Sequence, residues 1–157
     1  LLRLNNAITL TIIGSSSSEE LNQLLEAIGA PELVHDIELT GPLDAPGIIK
    51  VYDRSAMLVH PSKIDNSPNS ICEAQLCGLP VVATNVGGVA SLIEDEVSGF
   101  FSESKPKSLC GKIEELLNHE EKRLEAAENA RENASKRHSA QEIVEKTFEV
   151  YHDLINR

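Results

Sequence analysis

Two carboxylates, Asp65 and Glu73, are separated by seven residues in a segment crowded with small polar side chains. Asp65 lies in a polar loop that follows an apolar run, and Glu73 lies one turn into the helical pattern that comes next. A loop carboxylate and a first-turn carboxylate can face the same crevice, where they can hold sugar or ribose hydroxyls by charge-assisted hydrogen bonds. Their types and spacing therefore point to recognition of a polyhydroxylated ligand.

Each carboxylate also has a purely structural interpretation. Ser70 and Glu73 have the spacing of a capping box, with Ser70 as the N-cap and Glu73 as the third helical residue. An isolated aspartate such as Asp65 is often a turn residue. From the residues alone, these interpretations stay open beside the binding one.

The loop between the carboxylates adds backbone groups that suit a ligand. Helix N-termini present free N–H groups that bind anions and sugar oxygens, and Asn69 and Ser70 are better candidates than Pro68, which lacks the donor. Asn66 and Ser67 belong to the same polar cluster. All of these residues except the proline are candidates for contacts with a bound sugar.

Two further features flank this loop. His60 ends the preceding apolar run, either as an acid–base group or as a satisfied histidine at a strand end. The pair Gly87 and Gly88 follows the next apolar run, where two glycines let a ligand approach the backbone closely, although such a turn is often only packing. We expect the pair to open another helix.

Short apolar runs that alternate with helical patterns must position these residues. Such alternation is typical of buried parallel strands joined by helices, so we predict an α/β fold with a Rossmann-like parallel sheet and helices on both faces, in a single domain over residues 1–157. Ligands bind such sheets at the carboxyl ends of the strands, where the candidate residues lie. The predicted strands are Ile8–Ile13, Ile37–Thr40, Met57–His60 and Val81–Ala83, with a short return at 98–102, and the predicted helices cover 19–28, 46–52, 70–77, 105–117, 120–136 and 140–155.

The helix ends and the start of the chain carry local signals. The serines at 15–18 offer N-caps for the first helix, Asp44 for the second, and Ser139 with Glu142 as a capping-box partner for the last. The charges at 120–136 are explained most simply as a solvated face.

Leu1 is not an initiator Met and residues 1–5 look like the tail of a helix, so we expect a fragment of a longer protein. The last helix has an apolar stripe that consists of Ile143, Val144, Phe148, Tyr151, Leu154 and Ile155.

Composition and charge argue against several classes of function. The chain has 25 acidic and 14 basic residues and a formal net charge of −11, so it should repel the phosphate backbone of a nucleic acid. Aromatic residues make up 3% of the chain, too few for a platform that stacks bases. No apolar run approaches the roughly 20 residues that span a bilayer, and no signal peptide is visible.

Cysteines and clustered carboxylates do not suggest a metal site. Cys72, Cys77 and Cys110 lack the spacing and the histidine partners of a zinc site, and the first two fit better as small buried hydrophobes. The adjacent carboxylates at 94–96 fit a solvated turn better than a divalent cation site. An odd number of cysteines without a secretion signal suits a reducing compartment, so we expect a cytoplasmic protein.

Taken together, the motifs resemble those of a known family. PS at 61–62, Asp65, then Glu73 after seven intervening residues, and CGLPVVATNVGG at 77–88 look like the donor-binding signature of retaining GT-B glycosyltransferases. The resemblance is to the large group 1 family, glycosyltransferase family four. The upstream segments LTGPL and VYDRSAMLVHPS stand in the family's order, so the resemblance covers nearly the whole chain.

The resemblance implies a donor-binding role for the candidate residues. Enzymes of this kind have two Rossmann-like domains that face a cleft, and this chain looks like the C-terminal one, the C-terminal half of a GT-B fold, incomplete at its N-terminus. Asp65 would be the catalytic carboxylate that contacts the donor sugar, and Glu73 would hold the ribose hydroxyls. Gly41 and Leu43 would lie near the base, and the backbone at 66–70 would line the sugar.

Three departures from the family pattern accompany the resemblance. The family usually has Glu where Asp65 stands, so this carboxylate is one methylene shorter, and it usually has another Glu where Ser91 stands. The family's Arg and Lys that grip the diphosphate would lie before residue 1. Lys63 is therefore the only candidate cation in the central loop.

The implied activity is transfer of a sugar from a nucleoside-diphosphate-sugar to a polysaccharide, lipid or other acceptor with retention, without a bound metal or cofactor. The fragment itself should be inactive, because the diphosphate clamp and the N-terminal acceptor domain of the same chain are missing. We expect no nucleic-acid partner, and any peripheral membrane contact should come only through the missing domain. The alternatives are a GT-B sugar epimerase or phosphorylase, and a non-catalytic nucleotide-binding module.

Overall fold

The computed structural model describes residue 2 and residues 8–156, and it divides into two compact units, Leu1–Arg54 and Ser55–Arg157. Apart from residue 2, the helical tail expected over residues 1–5 lies outside the described residues. Whether the two units form the single domain predicted over 1–157 stays a prediction. In the described residues, both units contain parallel strands with helices, so the predicted α/β, Rossmann-like fold class is confirmed.

The first unit contains a parallel pair of strands, β1 (Leu10–Ile13) and β2 (Ile37–Gly41), with helices α1 (Ser18–Ala27) and α2 (Ala45–Asp53). The caps form as predicted. Ser17 Oγ accepts a hydrogen bond from the backbone N–H of Glu20 at 3.1 Å, and the Glu20 carboxylate accepts from the Ser17 N–H at 3.0 Å. Asp44 likewise caps α2, because its Oδ1 accepts from the Gly47 N–H at 2.9 Å.

The second unit contains a three-stranded parallel sheet in the order β3 (Leu58–His60), β4 (Val81–Thr84), β5 (Phe100–Ser102). Its helices are α3 (Asn69–Cys77), α4 (Pro106–Leu117), α5 (Glu120–Arg137) and α6 (Ala140–Ile155). All four residues of β4 are buried, as expected for a central parallel strand. The predicted helix at the glycine pair is wrong in type, since Gly87–Ser91 forms only a short 3-10 helix.

The core of the second unit joins the sheet to the helices that follow it. Val82 on β4 and Phe100 on β5 pack with Leu116 of α4 and Ala126 of α5, and all four side chains are buried. Met57, Leu109 and Ile113 are partly buried against this cluster. Burial of these large apolar side chains fixes β4 and β5, whose carboxyl ends lie beside the candidate binding loop.

Helix α5 is more than the solvated surface that its charges predict. Four alanines on one face of the helix are buried, and α3 packs on α5 more extensively than α4 or α6 does. Small side chains allow two helix backbones to approach closely, so this face holds α3 in place. The buried alanines are Ala126, Ala127, Ala130 and Ala134.

Helix α6 begins as predicted at Ser139, whose Oγ accepts from the Glu142 N–H at 3.4 Å. The Glu142 carboxylate pairs instead with Lys146 at 3.3 Å, so only half of the predicted capping box forms. No described residue of α6 is buried, and its apolar stripe is exposed. Among the described residues, none of the helices combines the length and apolar character that a membrane crossing requires.

Acidic residues at 94–96 form the predicted turn and have protein partners. Asp95 Oδ1 accepts a hydrogen bond from the Phe101 N–H at 2.8 Å. Glu96 pairs with Lys112 at 3.0 Å and also with Lys122, and both lysines contact Glu115 at 2.9 Å. These two lysines hold the pKa of Glu115 down to about 2. The result is a network of ion pairs that ties the turn to α4 and α5.

Candidate functional site

The loop that follows β3 is held in place by the strand and the turn beside it. Thr84, at the end of β4, donates a hydrogen bond from Oγ1 to the carbonyl of Ser62. The Gly88 N–H donates to the Asp65 carbonyl at 3.0 Å. Within the loop, Ser62 Oγ donates to the Ile64 carbonyl at 2.9 Å. These contacts fix the loop backbone at Asp65, beside the carboxyl end of the sheet.

The glycine pair supports this loop through close packing. A Cβ atom at Gly87 would overlap the Asp65 carbonyl, and a Cβ atom at Gly88 would overlap the Asn66 carbonyl. Gly87 also has a φ of +50°, which side chains other than glycine rarely adopt. The space beside both glycines is therefore filled by the protein's own backbone, as the packing interpretation requires. A role for either glycine in ligand binding stays a prediction.

Asp65 makes local contacts through both carboxylate oxygens. Its Oδ1 accepts a hydrogen bond from the Ser67 N–H at 3.1 Å, the contact of an Asx turn. Its Oδ2 lies 3.3 Å from His60 Nε2, with side-chain exposures of 28% for Asp65 and 15% for His60. The Nε2 atom is buried, and it has no hydrogen bond of acceptable geometry with any described residue, so the 3.3 Å approach is a close but misaligned pairing.

Glu73 does not belong to a capping box, so that interpretation is wrong. Helix α3 begins at Asn69 with Pro68 in the N-cap position and no side-chain cap, which places Ser70 inside the first turn. Pro68 fits there because an N-cap residue has extended backbone, here with φ −71° and ψ 102°. The helix starts one residue earlier than predicted. The Glu73 side chain is exposed, and among the described residues its carboxylate has no hydrogen bond or ion pair.

A buried polar network fixes the helix that carries Glu73. Gln75 is only 1% exposed, and its Nε2 donates to the Leu92 carbonyl at 2.8 Å. Arg137, at the end of α5, donates from Nη1 to Gln75 Oε1 at 3.2 Å. Sequence reasoning missed both residues, although a glutamine on the apolar face that includes Ile71 and Ala74 was a usable signal.

The remaining candidates lie in three places. Asn66, Ser67 and Asn69 are exposed on the loop and the start of α3, while Ser70 is half-buried. Lys63 is exposed on the same loop. Gly41 ends β2 and Leu43 precedes α2, both in the first unit. The structure thus brings Gly87 and Gly88 against the loop at Asp65 and Asn66, and Asp65 close to His60. Glu73 lies on the helix that follows this loop.

An open cavity of about 410 Å³ lies at the carboxyl ends of β4 and β5. Residues 84–86 and 101–104 line it, together with Ser108 of α4. No candidate site residue was predicted among them, although residues 84–86 lie in the family-like segment at 77–88 and ligands bind at strand carboxyl ends. Parallel strands, a loop carboxylate with a fixed backbone and an unengaged glutamate on the next helix make this end of the sheet the candidate ligand-binding site of an α/β domain.

Comparison with known proteins identifies the family. Residues 1–133 match the family described as glycosyl transferases group 1. An uncharacterised glycosyltransferase of Methanocaldococcus jannaschii is 34% identical over 119 residues, which are 75% of this chain and 34% of that protein. The D-inositol 3-phosphate glycosyltransferase of Corynebacterium urealyticum is 26% identical over 135 residues, 85% of this chain and 31% of that protein. The chain belongs to the group 1 glycosyl transferases.

Solved structures show the same fold. HepE of Anabaena in complex with UDP superposes with a TM-score of 0.83 at 24% identity, over 95% of this chain and 42% of that chain. A variant of Staphylococcus aureus TarM, in complex with Fondaparinux, alpha-GlcNAc-glycerol and UDP, gives 0.81 at 25% identity, over 96% of this chain and 30% of that chain. The chain therefore spans about a third of the length of the first two relatives and less than half of these structures.

Proposed function

We propose that this chain is the donor-binding part of a glycosyltransferase that transfers a sugar from a nucleoside-diphosphate-sugar with retention of configuration. The observation that carries the proposal is the exposure of the Glu73 carboxylate and its lack of protein partners among the described residues. Among those residues Glu73 has neither an ion pair nor a hydrogen bond, and it lies on a helix anchored by Gln75. Because it does not cap its helix, its oxygens are available to a pair of ribose hydroxyls.

In the same proposal, Asp65 binds the hydroxyls of the donor sugar. Its carboxylate is partly exposed and its backbone is fixed by the Gly88 N–H, so it can accept hydrogen bonds from sugar hydroxyls without reordering the loop. Backbone groups at 66–70 and the turn at Gly87 and Gly88 complete the sugar side of the site. That Gly41 and Leu43, which belong to the first unit, lie near the base stays a prediction.

The diphosphate requires positive charge that this chain hardly supplies. The formal net charge is −11, and Lys63 is the one lysine or arginine in the loop from 61 to 68. We propose that cationic side chains elsewhere in the full-length protein hold the diphosphate and stabilise the charge that develops on it as it leaves. On this account the reaction needs no metal or cofactor bound by this chain, and residues 1–157 alone do not transfer sugar.

The comparisons support the choice of ligand class. HepE was crystallised with UDP-glucose, and the TarM variant with UDP. Another relative is a capsular polysaccharide biosynthesis glycosyltransferase of Staphylococcus aureus, 30% identical over 108 residues. We therefore propose a UDP-sugar as the first donor to test, a polysaccharide or other glycan as the acceptor, a cytoplasmic location, and an acceptor domain elsewhere in the full-length protein.

A binding and transfer experiment tests this function. The full-length protein is titrated calorimetrically with UDP-, GDP- and ADP-sugars, and the anomeric configuration of any transfer product is read by NMR. We expect saturable binding of one nucleotide-sugar and a product with the donor's configuration. Failure of every nucleotide-sugar to bind would contradict the proposal, while binding without transfer to any acceptor would favour the non-catalytic module, and epimerised or phosphorolysed sugar would favour the other enzyme classes.

A further inference from the structure

His60 contacts the proposed sugar-binding carboxylate from a rigid position. It is the last residue of β3 and pairs with Ala83 on β4, so its backbone is fixed by the sheet. Its side chain is only 15% exposed, and Nε2 lies 3.3 Å from Asp65 Oδ2. That nitrogen is buried without a well-aligned hydrogen bond among the described residues. A buried polar atom without a hydrogen bond lowers the stability of the protein unless a partner supplies that bond.

The other groups around Asp65 leave its carboxylate one remaining freedom. The Gly88 N–H holds the Asp65 carbonyl at 3.0 Å, and the Ser67 N–H holds Oδ1 at 3.1 Å. Rotation about the Cβ–Cγ bond turns both oxygens together; among the described residues one aligned hydrogen bond at Oδ1 opposes it, and no aligned hydrogen bond holds Oδ2. His60 is the neighbour that contacts this oxygen, so a hydrogen bond from Nε2–H would set its direction.

We propose that His60 is a positioning residue, which donates a hydrogen bond from Nε2–H to Asp65 Oδ2 when the donor sugar is bound. The inference rests on the proposed function, in which Asp65 binds the sugar. The observed 3.3 Å is slightly longer than an ordinary N–H···O hydrogen bond, and such contacts often shorten when a site is occupied. The aligned carboxylate then presents its free lone pairs to the sugar hydroxyls.

A matched pair of amide substitutions tests the role. His60→Gln places an amide N–H near the position of Nε2, while the shorter side chain of His60→Asn cannot reach Asp65. Both are made in the full-length protein, and affinities for the UDP-sugar and for UDP alone are measured by calorimetry with a thermal melt of each variant. We expect His60→Asn to weaken UDP-sugar binding roughly tenfold or more with little change in the affinity for UDP. His60→Gln should keep most of the wild-type affinity for the UDP-sugar.

The outcomes separate this inference from the proposed function. Unchanged UDP-sugar affinity in His60→Asn overturns the inference, and so does an equal loss for UDP-sugar and UDP, which would mean that His60 merely holds the loop. Asp65→Asn is the reference variant. If it also binds the UDP-sugar normally, the proposed role of Asp65 is wrong; if it binds weakly while His60→Asn does not, only the His60 inference fails.

A measurement on the unaltered protein covers the case in which His60→Asn does not fold. In protein labelled with ¹⁵N histidine, the His60 signals are assigned by their loss in His60→Gln. The inference predicts an Nε2–H tautomer whose proton shifts downfield when the UDP-sugar binds. An Nδ1–H tautomer, or an Nε2–H signal that the UDP-sugar leaves unmoved, would overturn it.

Discussion

Replacing Glu73 by Gln separates a ligand-binding carboxylate from a structural one. The side chain is exposed and has no hydrogen bond or ion pair among the described residues, so we expect the free energy of unfolding to change by no more than about 0.5 kcal/mol. In the complex, the neutral amide removes a charge-assisted acceptor for the ribose. That loss should cost about 1.5–3 kcal/mol, or roughly ten- to a hundredfold in donor affinity.

The assay is calorimetric titration of the full-length protein with its nucleotide-sugar, beside a thermal melt. Glu128→Gln is the matched control, because Glu128 is also an exposed helical glutamate without an ion pair or hydrogen bond among the described residues. It should change neither quantity. Equal donor affinity in wild type and Glu73→Gln would refute the ribose assignment, and a marked loss of stability would show that Glu73 has a structural role that we have missed.

Four further variants probe packing and electrostatics. Gly88→Ala should lower stability by about 1–3 kcal/mol in urea unfolding, because its Cβ would overlap loop backbone, whereas Gly111→Ala has open space and should gain about 0.5–1 kcal/mol. Leu116→Ala removes a wholly buried side chain and should cost about 2–5 kcal/mol by the same measurement. Glu115 has a pKa lowered from 4.5 to about 2, so its stabilisation is complete above pH 4.5 and is lost as pH falls toward 2. The Glu115 side chain is 38% exposed, which limits this contribution to about 1 kcal/mol. Glu115→Gln should flatten the pH dependence of the urea midpoint over that range.

Each of these expectations has a contradicting result. Gly88→Ala as stable as wild type would mean that the loop does not rest on the glycine pair. A cost below about 1 kcal/mol at Leu116, comparable to that of truncating the exposed Leu124, would contradict the described core. A pH profile of Glu115→Gln parallel to that of wild type would show that the ion pairs add nothing.

Local signals were sufficient to predict most of the secondary structure. Helix α3 ends before Gly78, as predicted, because that glycine adopts φ +73° at the helix C-terminus. The cap at Asp44 was also predictable, because one polar side chain stands in the right place. The cap at Ser17 lies within the predicted run of serines at 15–18, which did not single it out. At the start of α3, however, several good capping residues follow one another, and spacing alone selected Ser70 where the structure has Pro68.

The contacts of the candidate site depend on residues far apart in the chain. Thr84 holds Ser62 across 22 residues, and Gly88 holds Asp65. These bonds help to shape the loop that carries Asp65 back toward His60, and they join residues too far apart in the chain for a local pattern to indicate them. The buried face of α5 was missed for another reason: alanine is common on exposed and buried helix faces alike, and the surrounding charges dominate the pattern.

Hydrogen exchange of the full-length protein, with and without saturating nucleotide-sugar, tests the donor-binding account most directly. It locates the ligand without any substitution, and exchange is slowed where a ligand covers or rigidifies backbone amides. We predict that the donor slows exchange at residues 65–73 and at Gly87 and Gly88, while the exposed helix α6 is unaffected. Protection confined to other parts of the protein, with these peptides unchanged, would contradict the account.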